Sequence, residues 1–254
     1  MLFRSHMLAE LAATDLAVTT LGQVNCGAAS PSCWQQLPWY ESLGIAKEEL
    51  FPRMAELEQT AVHAARAKLE SLDVKLVCLS SKIIDEKSFN EGVELHGNKA
   101  GLLSTESLQL AKSCLERFID RDSCAFKNII VECDKHGGRN RYQAMLFQAF
   151  PDEWFHAGEE STDISRYSSQ FGGLPITWSF RAKGDRCAAP AAASMIAKWS
   201  REVLLDRLNR FWQEKCPGLS PTAGYPADAK RFAADIEKVA KKFRLSQSTW
   251  WRTC

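Results

Sequence analysis

Apolar residues at Leu50, Met54, Leu57, Val62 and Leu69 stand among charged neighbours at close to helical spacing, which predicts an amphipathic helix over 46–72. Pro52 lies near its start, where a missing N–H costs little. The run VKLVCL at 74–79 reads as a buried strand, and 99–118 as a second helix. A short apolar strand at 129–133 then leads into a helix over 141–150. Further strands are predicted at 154–158 and at 176–182, where ITWSFRA alternates, while 166–173 reads as polar loop or edge strand. Two helices close the chain, 188–214 with Pro190 in its first turn and 227–243, joined by the Pro/Gly-rich PGLSPTAGYP. Helices alternating with strands predict an α/β fold whose mixed sheet is at least partly parallel.

The length of 254 residues and the 45% hydrophobic content are enough for one full core, so a single domain over 1–254 is expected, with a helical C-terminal part from about 188. No stretch of about 18 apolar residues occurs, and the start MLFRSHMLAELAATD lacks the continuous apolar centre of a secretion signal. No membrane association is expected, and the expected setting is a cytoplasmic monomer. Nine cysteines without a CxxC pair fit neither a disulfide framework nor a zinc site, which leaves Cys133 as a small strand residue. The net charge is only +1, but it is unevenly spread: residues 181–254 carry a balance of +8 and residues 1–180 a balance of −7. That asymmetry suits a face for a polyanion, or equally a solvated helix face.

Three segments carry candidate chemistry. In NIIVECDKHGGRNRY, Asp134 ends an apolar strand and precedes a glycine turn with Lys135, Arg139 and Arg141 close by. In KGDRCAAPAAASMIAKWSRE, Lys183, Gly184 and Asp185 lead into a small-residue helix that carries Ser194, Lys198, Arg201 and Glu202. In PTAGYPADAKRF, Tyr225 follows a glycine between two helices. Together, and in this order, the segments resemble ribonuclease HII, the type 2 ribonuclease H family, and looser similarity extends through 89–103.

The resemblance implies a ribonuclease H-like mixed sheet flanked by helices, and metal-dependent cleavage of RNA within RNA–DNA hybrids or ribonucleotide-containing DNA. It carries metal binding and catalysis to Asp134 and Glu202, with Mg²⁺ or Mn²⁺ as the ion and Glu202 standing where the family has Asp. It places Lys183 and Lys198 near the nucleic-acid backbone, gives Ser194 a phosphate-positioning hydroxyl and sets Tyr225 against the ribose at the RNA–DNA junction; Lys135, Arg139 and Arg141 are phosphate candidates by their charge beside the glycine turn. The family also opens with an Asp-Glu-Ala-Gly strand that supplies half of its metal-binding acids. Glu10, Asp15 and Glu41 are not set in such a context, so a fold incomplete at its N-terminus is expected, with an activity that depends on completing the metal site.

Each of these residues also has an ordinary structural reading. Asp134 suits a turn, Glu202 pairs with Lys198 at i, i+4, and Asp206 is a solvated helix acid. His136 fits a turn or capping role, and Glu159, Glu160 and Asp163 a solvated loop. Trp199, Trp212, Trp250 and Trp251 suit core and C-terminal packing. A non-catalytic nucleic-acid-binding relative, or a module for protein interaction, would use the same fold without hydrolysis.

Overall fold

The structure is a computed structural model that describes residues 37–41, 56–74, 80–122 and 127–252. Its helices and strands are α1 (Pro38–Glu41), α2 (Glu56–Ser71), α3 (Glu86–His96), α4 (Lys99–Asp122), β1 (Ile129–Asp134), α5 (Gln143–Ala149), β2 (His156–Glu160), β3 (Ile164–Phe171), β4 (Leu174–Arg181), α6 (Ala188–Lys215) and α7 (Pro226–Lys242). The predicted strand at 74–79 lies, but for Val74, outside the described residues, as does the first part of the predicted 46–72 helix.

The strands form one four-stranded mixed sheet in the order β1-β4-β3-β2. β1 pairs with β4 in parallel, whereas β3 runs antiparallel to both β4 and β2. The segment predicted as polar loop or edge strand is therefore an inner strand, β3, bonded on both sides. Its polar look has a simple source. Tyr167 and the small Ser165 and Ser169 face the core, while Arg166, Ser168 and Gln170 face solvent, so little of the strand looks apolar in sequence.

The same alternation divides the sheet into two unlike faces. Ile176, Trp178 and Phe180 of β4, with Tyr167 of β3, join Leu108 and Leu115 of α4 and Leu146 of α5 in one core. Trp178 lies 5.1 Å from Phe150 and 6.0 Å from Phe155, ring centre to ring centre, in edge-on contacts. Its indole N–H donates to Ser169 Oγ at 3.0 Å, which satisfies the polar group that burial would otherwise strand. The opposite face carries Glu132 and Asp134 of β1 beside Ser179 and Arg181 of β4, with Arg181 3.6 Å from Glu132.

A second core joins α1, α6 and α7 through Trp39, Ile196, Trp199, Trp212, Phe232, Ile236 and Ala240. The predicted packing roles of Trp199 and Trp212 hold, and Trp250 is half-buried against the same cluster. The turn from α6 to α7 is tied by side chains. Thr222 N–H donates to Asn209 Oδ1 at 2.8 Å, Thr222 Oγ1 and Ala223 N–H both donate to Asp228 Oδ2, and Arg231 donates to Asp228 Oδ1 at 2.7 Å. Those donors, Thr222 foremost, hold the Asp228 carboxyl down at about 2. No described helix is long and apolar enough to cross a membrane.

Candidate active site

Because β1 and β4 are parallel, their carboxyl ends reach the same edge of the sheet, and ligand-binding groups gather at such edges. Asp134 is the last residue of β1 and Arg181, its register partner, the last of β4. The ladder runs one step further through Lys135 N–H to Arg181 O at 2.9 Å. Beyond it the chain turns at Lys183, whose backbone is left-handed at φ 58, into one turn of 3-10 helix over Gly184–Arg186. The Gly184 N–H then donates to Asp134 Oδ1 at 2.8 Å. A methyl group on Gly184 would stand 2.9 Å from the Asp134 Cα, so only glycine permits this approach without a shift.

The consequence is that Asp185, one residue beyond Gly184, shares the edge with Asp134. Both are exposed. The sequence segment that contains Asp185 was singled out for Glu202 at its far end, but Glu202 sits halfway along α6, about 21 Å of helix rise from Ala188. No hydrogen bond or ion pair among the described residues holds it, and none joins it to Lys198. The signal for Asp185 was present in Lys-Gly-Asp itself; its weight comes only from the pairing of β1 with β4.

The loop after Asp134 is built to be rigid. Gly137 and Gly138 take positive φ of 59° and 76°, which closes the turn back to His136 O from Arg139 N–H. His136 is buried, not a surface turn residue: its Nδ1 lies 3.0 Å from Ser104 Oγ of α4, and its ring stands edge-on to Tyr142 and Phe180. Burial, aided by Arg139 and opposed by Asp134, lowers its pKa, so the imidazole is a neutral pin between loop and helix. Tyr142 stacks on Phe180 at 3.7 Å and its hydroxyl accepts from His136 N–H at 2.9 Å.

Tyr142→Phe should therefore leave a buried N–H without an acceptor. The expected cost is about 1–3 kcal/mol, read as a lower urea midpoint with an unchanged slope.

Lys135 is also corrected as a phosphate candidate. Its amine donates to Asn140 Oδ1 at 2.7 Å, Ser161 O at 2.5 Å and Ser165 Oγ at 3.2 Å, so it braces the loop. Arg141 is exposed and 3.7 Å from Glu160, and Arg139 is half-buried with its Nε unpartnered. Glu159 and Glu160 lie on β2 and not in a loop; Glu159 pairs with Arg166 at 2.8 Å and Glu160 accepts from the Tyr167 hydroxyl. Asp206 is a solvated helix acid paired with Arg210 at 2.9 Å.

The remaining predicted residues fall into three places. Lys183 is exposed at the turn beside Asp134 and Asp185. Ser194 and Lys198 follow one turn apart on α6, half-buried and exposed. Tyr225 precedes α7, 68% exposed, with the Arg201 guanidinium 5.7 Å from its ring centre. Beside it, a cleft of about 760 Å³ opens between α6, α7 and the 81–86 segment, with Arg201, Gly224 and Lys230 among its walls.

Carboxylate oxygens are the donors a Mg²⁺ or Mn²⁺ ion prefers, and Mg²⁺ is commonly held by one or two carboxylates together with substrate phosphates. Among the described residues no partner holds Asp134 Oδ2, and Asp185 adds a second carboxylate at the same edge. Cys133 offers no competing thiolate: burial, then Asp134 and Glu132, push its thiol up to about 12, and its place in the strand directs it to the aromatic face. The residues present therefore fit a hard divalent ion. Among the described residues no group of three or more His, Cys, Asp or Glu gathers as a ready metal cage.

The fold and this edge define the class: an α/β protein with a mixed sheet flanked by helices and two carboxylates at the shared end of parallel strands. Comparison with protein families, curated proteins and solved structures finds no match for the chain.

Proposed function

We propose that this protein is a metal-dependent phosphodiester hydrolase of the ribonuclease HII type, acting on RNA joined to or paired with DNA. The observation that carries the reading is the Gly184 N–H to Asp134 Oδ1 bond, which sets Asp134 and Asp185 at one sheet edge in the two segments that resemble the family. Asp134 and Asp185 would hold Mg²⁺ or Mn²⁺, which supplies charge neutralisation and a water of lowered pKa. Lys183, exposed on the same turn, meets the phosphate backbone as a cation. Ser194 and Lys198 continue a polar and basic track along α6, and Tyr225 offers an open ring and hydroxyl to a ribose. Among the described residues no strand pairs with the side of β1 away from β4, which leaves Asp134 at the open edge of the sheet.

A second reading is a nucleic-acid-binding protein of the same fold without hydrolysis, supported by the +8 balance of residues 181–254. One assay separates the two. A labelled DNA duplex containing one ribonucleotide is incubated with the full chain and with Asp134→Asn, in Mg²⁺ and in Mn²⁺. Metal-dependent cutting, reduced about 100-fold or more in the variant, is expected. Salt-sensitive binding by folded protein with no cutting would favour the second reading, and neither binding nor cutting would remove both.

A further inference from the structure

We infer that Arg201 is the positioning residue for Tyr225, so that recognition at the 2′-hydroxyl depends on a side chain that itself meets no substrate. The inference rests on the ribose-facing role proposed for Tyr225. Its physical basis is the way the 222–225 turn is held. On one side, Thr222 is tied to Asn209 and Asp228, and Gly224 N–H donates to Thr222 Oγ1 at 2.9 Å. On the other side, Arg201 Nη2 reaches from α6 and donates to Ala223 O at 2.6 Å. The same guanidinium faces the Tyr225 ring at 5.7 Å, a cation over an aromatic face.

Gly224 makes this approach possible. It has φ +72°, and a methyl group there would stand 2.8 Å from Arg201 Nη2. The guanidinium thus occupies the space that any other residue at 224 would fill. Among the described residues no hydrogen bond holds the Tyr225 side chain. The residue is 68% exposed, whereas its carbonyl is committed to α7 through Ala229 N–H at 2.7 Å. Backbone direction is set by the helix start, and ring direction by Arg201. Arg suits the task better than Lys, because the planar fork can bond a carbonyl and lie against a ring together.

The test compares wild type, Arg201→Ala, Tyr225→Ala and the double variant in Ca²⁺, to hold chemistry back, on two duplexes that differ by one 2′-hydroxyl. The measured quantity is the ratio of the two dissociation constants, with thermal unfolding to verify folding. Each single variant is expected to lose most of the wild-type preference, and the double variant to lose no more than either, because the residues act as a unit. Full preference retained by Arg201→Ala, or additive losses in the double variant, would overturn the inference. Amide hydrogen exchange at Gly224, whose N–H is bonded to Thr222 Oγ1, is read in parallel and needs no substrate. An increase of about tenfold or more in Arg201→Ala is expected from loss of a charge-assisted hydrogen bond, and unchanged exchange overturns the positioning role. A wild-type protein with equal affinity for both duplexes, yet faster exchange in the variant, would place the failure in the ribose-sensing reading of Tyr225 and leave the positioning role standing.

Discussion

Asp185→Asn is expected to reduce cleavage of a ribonucleotide-containing duplex by about 100-fold or more, with the unfolding midpoint nearly unchanged. The residue is exposed, so its amide replacement disturbs no core and leaves no buried group unpaired. What it removes is one of the two carboxylates proposed to hold the ion. Glu202→Gln is the companion measurement. Glu202 has no hydrogen bond or ion pair among the described residues, so on the proposed reading its loss should cost less than about tenfold. The reverse order of effects would return the metal-binding role to Glu202 and strip it from Asp185.

Gly184→Ala is expected to be harmful in two ways that can be measured apart. The added methyl would meet the Asp134 Cα at 2.9 Å and its Oδ1 at 3.1 Å, and the first of these is backbone that cannot swing aside. Gly184 is itself buried, so the 3-10 turn must move away from β1. Overpacking of this kind costs about 1–3 kcal/mol, visible in chemical denaturation. The same movement breaks the Gly184 N–H bond to Asp134 and separates the two carboxylates. A displacement near 1 Å at reacting groups costs about 100-fold in rate, so activity should fall much further than stability. A variant with wild-type activity would show that the edge tolerates the shift and is not where the chemistry occurs.

These two residues also show where reading the chain in one dimension succeeds. The apolar run before Asp134 is enough to make a strand, and Pro190 followed by a long run without breakers is enough to make α6, which extends over Ala188–Lys215. Predicted helices at 99–118 and 227–243 appear as α4 and α7 with ends moved by a few residues, as fraying and capping choices allow. The inner place of β3 escaped because a strand with one solvated face and serines on the other has little apolar signal of its own; Tyr167 is buried by neighbours far along the chain. Lys135 and His136 escaped for the same reason. A lysine is a free cation until Ser161 and Ser165 are brought to it, and a histidine beside two glycines is a loop residue until Ser104 of α4 comes within 3.0 Å.

By itself, then, the sequence determined the kinds of element, the α/β class and the uneven charge, because propensity, periodicity and composition are local properties. The place of Asp185 at the sheet edge, the burial of His136 and the hold of Arg201 on the Tyr225 turn were decided only by tertiary structure. Each depends on contacts between residues dozens of positions apart, or on opposite sides of a turn, and it is the parallel register of β1 with β4 that turns two separate acids into one edge.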